Sequence, residues 1–231
     1  MNGQYKIFNN CDESVLSFNG LVECYDYTGM KDKCSYTFMD VNELNINLNK
    51  NGYYSLKCDL FDGRLDFDFY LNDFYVCNGN LVVDVNISSG MYEFGALSTL
   101  EFSLNDNKRI WLDMRGCAKK KYISASYLKN GFQKKIKNEV IVIEGKYIHD
   151  YYSFYCELGY SIFGNYGYIG SNLNAVYDIL NDTIEKKINL IWKDSFISFK
   201  AIDNTVPEDY YQSSSEDILA LLNDYFNIIL E

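Results

Sequence analysis

Asn174 and Asp178 stand four residues apart, and on a helix two residues at that spacing share one face. An amide and a carboxylate so placed can accept hydrogen bonds from guanidinium or ammonium groups, which are strengthened by the donor's charge. The loop before them, Gly164-Asn165-Tyr166-Gly167-Tyr168-Ile169-Gly170-Ser171, mixes glycine with tyrosine and carries no base or nucleophile. The pattern points to a surface that occupies a basic cleft on another protein. It does not point to a site that makes or breaks bonds.

Little else in the chain could serve catalysis. The single histidine, His149, falls at the entry to a helix, where a capping or solvent-facing role is expected. No serine or cysteine nucleophile motif accompanies it, and H-E-x-x-H, G-x-x-x-x-G-K-[ST] and G-x-S-x-G are all missing. Gly164, Gly167 and Gly170 form a spaced series that follows a helix, not the strand a phosphate loop requires. Seven cysteines, at positions 11, 24, 34, 58, 77, 117 and 156, include no C-x-x-C pair and are expected to be reduced core residues. Asp59, Asp62, Asp66, Asp68 and Asp73 lack the spacing and distal glutamate of a calcium loop and read as solvent-facing strand carboxylates. The chain is therefore expected to be no enzyme and to hold no cofactor or metal.

The formal net charge is −11, which argues against direct nucleic-acid binding and favours a basic protein partner. Charge also divides the chain. Residues 1–118 carry 9 basic and 17 acidic side chains, residues 119–140 carry 7 and 1, and residues 141–231 carry 5 and 14. The amino-terminal residues lack the apolar run of a secretion signal and no eighteen apolar residues follow one another, so a soluble cytoplasmic protein without a membrane partner is expected.

The elements that would position the acidic face come last. Residues 1–118 read as an antiparallel β domain of unknown role, with turn signals at Asn51-Gly52, Asp62-Gly63, Asn78-Gly79 and Ser89-Gly90. Leu65, Phe67, Phe69 and Leu71 alternate with Asp66, Asp68 and Tyr70; Leu100, Phe102 and Leu104, then Ile110, Leu112 and Met114, repeat that alternation. A sandwich or open barrel is predicted. Residues 119–138, rich in lysine, read as a basic connector or hairpin. Residues 139–231 alternate strands and helices: Val140–Ile143 as a buried strand, a helix with Tyr151, Phe154, Tyr155, Leu158 and Ile162 on one stripe, and a second with Leu173, Val176, Tyr177 and Leu180. A strand at 188–192, a short helix at 195–202 and a final helix with Ile218, Leu221, Leu222 and Tyr225 follow. This order predicts a small parallel sheet packed by helices, in a two-domain chain.

Three segments of this last part, Phe154-Tyr155-Cys156-x-Leu158-Gly159, Gly167-Tyr168-x-Gly170-x-Asn172-Leu173-x-Ala175 and Ile191-Trp192-Lys193-Asp194-Ser195, resemble the barstar family, intracellular inhibitors of barnase-type secreted ribonucleases. The resemblance runs from about residue 140 to 231 and is closest to longer members with an additional amino-terminal region. It implies a protein partner, a basic ribonuclease whose active site is blocked, and an inhibitory face of Tyr168, Gly170, Asn172, Asn174, Tyr177, Asp178 and Asp224, with Asp178 meeting the arginines that would hold RNA phosphate. Asn174, Ser171 and Tyr177 stand where typical members carry aspartate, glutamate and tryptophan, so the resemblance implies weaker or redirected binding. The other reading is an adaptor on a barstar-like fold, its partner recognised by the β domain. The carboxyl end leaves two outcomes: a last strand at 226–230 after a shortened helix, or none.

Overall fold

Residues of alternating polarity dominate the first hundred positions, and in the computed structural model they form strands with one face buried. The structure describes residues 4–26, 33–41, 47–103, 109–133, 136, 139–207 and 214–231. The chain divides into two compact units, Met1–Phe102 and Ser103–Glu231.

The first unit holds β1 (Tyr5–Asn9), β2 (Ser14–Phe18), β3 (Gly20–Asp26), β4 (Lys33–Met39), β5 (Tyr53–Cys58), β6 (Phe67–Cys77), β7 (Asn80–Ser89) and α1 (Ala96–Ser103). The strands make one antiparallel sheet in the order β2-β1-β5-β6-β7-β4-β3. Leu65, Phe67, Phe69 and Leu71 are buried as the alternation predicts, while Asp68 on the opposite face accepts hydrogen bonds from Ser55 and Ser89 hydroxyls, each 2.6 Å. Asn78 and Gly79 turn β6 into β7 with φ of 51° and 78°, the left-handed pair a two-residue hairpin needs. Strands β2 and β3 lie at opposite ends of the sheet, yet Asn19 alone separates them along the chain. The sheet must therefore roll until its two ends meet. Phe18 on β2 accordingly stacks on Phe38 of β4 with ring centroids 4.3 Å apart, although four strands intervene in sheet order.

The alternation fails twice as a strand signal. Leu100 and Phe102 lie in α1, Leu104 falls outside the described residues, and Ile110–Asp113 is a turn of 3-10 helix with Trp111 as its buried side chain. Short apolar alternations also fit a helix, and what decides here is not local. The Glu23 carboxylate of β3 accepts the N–H groups of Gly95 (2.7 Å) and Ser98 (2.9 Å), holding the first turn of α1.

The second unit contains α2 (Lys119–Asn130), β8 (Val140–Glu144), α3 (Tyr151–Phe163), α4 (Leu173–Thr183), β9 (Ile188–Lys193), α5 (Ser195–Asp203), α6 (Ser215–Tyr225) and β10 (Phe226–Leu230). Strands β10-β9-β8 form a parallel sheet, with helices in both crossovers, since parallel neighbours need a connection long enough to return the chain to the same end. The last strand is present, entering directly from α6 with Phe226 buried.

Residues 119–130 differ from the connector or hairpin expected of them, because they form a helix of the second unit. Between the lysines, Tyr122, Ile123, Ala125, Ser126 and Leu128 are buried, and α2 packs on α3. Lys119 itself is only 3% exposed and donates to Asp150 Oδ2 (2.6 Å) and the Met114 carbonyl (2.9 Å). Lys134, Lys135 and Lys137 fall outside the described residues.

Of the cysteines, Cys34, Cys58 and Cys156 are buried; Cys11, Cys24, Cys77 and Cys117 are exposed, so the expectation of core residues holds for three. In the acidic cluster Asp59 and Asp62 face solvent, Asp66 accepts the Cys58 N–H (3.0 Å) and Asp73 pairs with Lys50 (2.6 Å). No group of three or more potential metal ligands occurs among the described residues, and none of their helices is long and apolar enough to cross a membrane.

Candidate functional site

The site is built on α3. Asp150 caps this helix reciprocally with Ser153: the Ser153 N–H donates to Asp150 Oδ1 (2.8 Å) and the Asp150 N–H donates to Ser153 Oγ (2.8 Å). His149, exposed just before the cap, donates its N–H to the same hydroxyl (2.8 Å). Every residue from Tyr151 to Gly159 is buried, because the sheet takes one side and α2 another. Glu157 is the one carboxylate among them, and Arg109 answers it with two hydrogen bonds, Nε to Oε2 at 2.7 Å and Nη2 to Oε1 at 3.0 Å. The guanidinium also lies over the rings of Tyr147 and Tyr160, 4.3 and 4.2 Å from their centroids. Burial pushes the Glu157 carboxyl above its ordinary range, while Arg109 pulls the other way.

The glycines of the two motifs meet backbone to backbone. A Cβ on Gly159 would overlap the Gly167 carbonyl oxygen, and one on Gly167 would overlap that of Gly159. Gly170 adopts φ +92°, and a Cβ there would collide with Ala175, so the chain turns tightly against the first turn of α4. Asn172 caps that helix by accepting the Ala175 N–H (2.9 Å).

Of the expected face, Asn174, Tyr177, Asp178 and Asp224 are exposed; Tyr168 is buried, Gly170 makes the turn into α4, and the half-buried Asn172 caps that helix. On α4, Val176, Ile179 and Leu180 face the core, whereas Tyr177, expected on the buried stripe as well as at the partner, is 49% exposed. Helix α6 packs beside α4 and sets Tyr225 against Tyr177, ring centroids 6.2 Å apart. The Tyr225 hydroxyl is raised above its ordinary range by partial burial and then by Tyr177, Asp224 and Asp178, which puts both acids near one phenol. Among the described residues no ion pair engages Asp178 or Asp224. Two members were missed in the sequence: Tyr225, whose helical register read only as core, and the exposed Asp182, one turn beyond Asp178.

Tyr168 departs most from its expected place. It is 6% exposed beneath Tyr127 and Phe132, at centroid distances of 5.0 and 5.8 Å, and burial pushes its hydroxyl up to about 12. Its cover comes from the end of α2 and the following turn, and nothing near Tyr168 in sequence signals it.

A three-stranded parallel sheet with helices in its crossovers thus presents acids and tyrosines on α4 and α6. Residues 138–222 are a Barstar family domain, matching the model described as Barstar (barnase inhibitor). No curated protein and no solved structure matches the chain. The matched segment runs from just before β8 to Leu222 in α6; α2 and Arg109 lie outside it.

Proposed function

We propose that the chain is an intracellular inhibitor, not an enzyme, that blocks the active site of a basic barnase-type ribonuclease with the exposed face of α4 and α6. The observation that carries this reading is Asp178, exposed at mid-helix inside the Barstar domain, grouped with Asp224, Tyr177 and Tyr225 and engaged by no described ion pair. A free carboxylate offers charge-assisted hydrogen bonds to arginines that would otherwise bind RNA phosphate, and desolvation on docking strengthens them. Aromatic rings beside it supply apolar contact area at low entropic cost. The acidic chain favours encounter with a basic enzyme, so association should slow as added salt screens charges beyond about 8 Å.

The test is inhibition of RNA cleavage by a basic barnase-type ribonuclease, comparing the unmodified chain with Asp178→Ala. A solvent-facing mid-helix carboxylate contributes little to stability, so the fold should persist while binding weakens by about 2 kcal/mol or more. Equal inhibition by both chains would remove α4 from the contact. The burial of Tyr168 favours a second reading, in which the domain is an adaptor and the β domain recognises the partner.

A further inference from the structure

Residues 127–133 precede the matched Barstar segment, yet they pack on the loop that leads into α4. Asn130 Nδ2 donates to the Tyr166 carbonyl (2.8 Å), and Lys129 lies 4.3 Å over the Tyr166 ring. Gly131 then takes φ +59° and ψ −153°, a conformation that suits glycine alone, and Phe132 comes back onto the loop. There the Phe132 ring packs on Tyr127 (5.3 Å) and on Tyr168 (5.8 Å) and still leaves the side chain 55% exposed. Tyr168 lies two residues before Gly170, where an added Cβ would collide with Ala175 of α4. Phe132 therefore covers Tyr168 in the loop that leads into α4, the helix that carries Asn174 and Asp178. A protein docking on the start of α4 meets this phenyl ring, whereas the Tyr168 hydroxyl is shut beneath it.

We propose that Phe132 is a specificity-determining residue for the protein partner, supplying the aromatic contact at the entry to α4 in place of the buried Tyr168. The inference rests on the inhibitor reading above. The partner is a basic ribonuclease whose cleft carries, beside its phosphate-binding arginines, an apolar rim or a cation able to meet a phenyl face. Tyr127 and Tyr168 back the ring on one side and Asn130 clamps the loop beneath, so the contact is ordered before binding and loses little entropy on docking.

The experiment measures inhibition constants of the full chain against a basic barnase-type ribonuclease for four variants: Phe132→Ala, Phe132→Tyr, Tyr168→Phe and Asp178→Ala. Both tryptophans, Trp111 and Trp192, are buried in the second unit, so unchanged tryptophan emission certifies the fold of each variant. Phe132→Ala should weaken inhibition at least tenfold, Phe132→Tyr should restore it, and Tyr168→Phe should stay within threefold of the unmodified chain. If Phe132→Ala stays within threefold while Asp178→Ala is impaired, the inference falls and the inhibitor reading stands. If Tyr168→Phe is the more damaging change, the buried hydroxyl reaches the partner and the inference is overturned. If the unmodified chain inhibits no such ribonuclease, including any encoded beside it, both fall together.

Discussion

Removing Arg109 should expose how the second unit tolerates a carboxylate inside it. In Arg109→Leu, Glu157 remains buried and, among the described residues, keeps the Glu144 N–H (3.3 Å) and the Ser161 hydroxyl (3.4 Å) as donors. Left charged, such a group costs about 3–5 kcal/mol. It can instead take up a proton, which from an ordinary value of 4.5 costs about 3.4 kcal/mol at pH 7 and about 0.7 kcal/mol at pH 5. Protonation is clearly the cheaper course at pH 5, and at pH 7 it caps the cost at about 3.4 kcal/mol, so it sets the size of the effect. Loss of the contacts with Tyr147 and Tyr160 adds about 1 kcal/mol that does not depend on pH. The variant should therefore lose about 4 kcal/mol at pH 7 and under about 2 kcal/mol at pH 5. The sign follows from burial: a carboxyl raised in the folded state binds its proton there first, so stability recovers as pH falls through the folded value toward 4.5. Urea unfolding followed by tryptophan emission reads the second unit alone, since Trp111 and Trp192 both belong to it. Adding Glu157→Gln should return at least half of the loss at pH 7. A cost equal at the two pH values, or no return from the second change, would refute the assignment of a buried charge held by Arg109.

Other outcomes follow from the same geometry. Asn174→Asp should tighten inhibition of a barnase-type ribonuclease by about fivefold to tenfold, because it turns a neutral acceptor on the exposed face into a charged one; titration at two salt concentrations would show the added salt dependence. A fragment of residues 103–231 should fold alone, whereas one of residues 137–231 should not. The shorter piece strips Arg109 from Glu157, Lys119 from Asp150, and Trp111 and Tyr122 from Tyr160 and Tyr166. Circular dichroism of the two fragments decides this, and a folded 137–231 piece would mean that α2 is dispensable. Gly170→Ala should cost about 2–3 kcal/mol through its positive φ and the clash with Ala175, read as a lowered urea midpoint.

The strands of the first unit were legible where alternation ran beyond four residues, as in β6, because a strand puts Phe67, Phe69 and Leu71 on one side. The parallel sheet was legible from the alternation of strands and helices, and the exposed Asn174 and Asp178 from their spacing. What escaped depends on partners distant in the chain. Helix α1 is held by Glu23 from β3, and α2 hides its buried stripe among lysines, one of which is itself buried against Asp150. Tyr168 was legible as a motif position but not as a buried one, because Phe132 and Tyr127 are brought over it only by the packing of α2 on α3.

The contact between Gly159 and Gly167 bears on how this domain can vary. Most packed pairs in a core can trade volume, one side chain growing as its neighbour shrinks. Here both members are already the smallest residue, and each carbonyl occupies the space the other's first carbon would need. No second-site change in either side chain can therefore rescue a substitution at the other. Only a shift of α3 against the loop could, and that shift would carry the entry to α4, with Asn174 and Asp178, along with it. Random libraries of this domain should thus be depleted independently at the two positions, with no covariation between them.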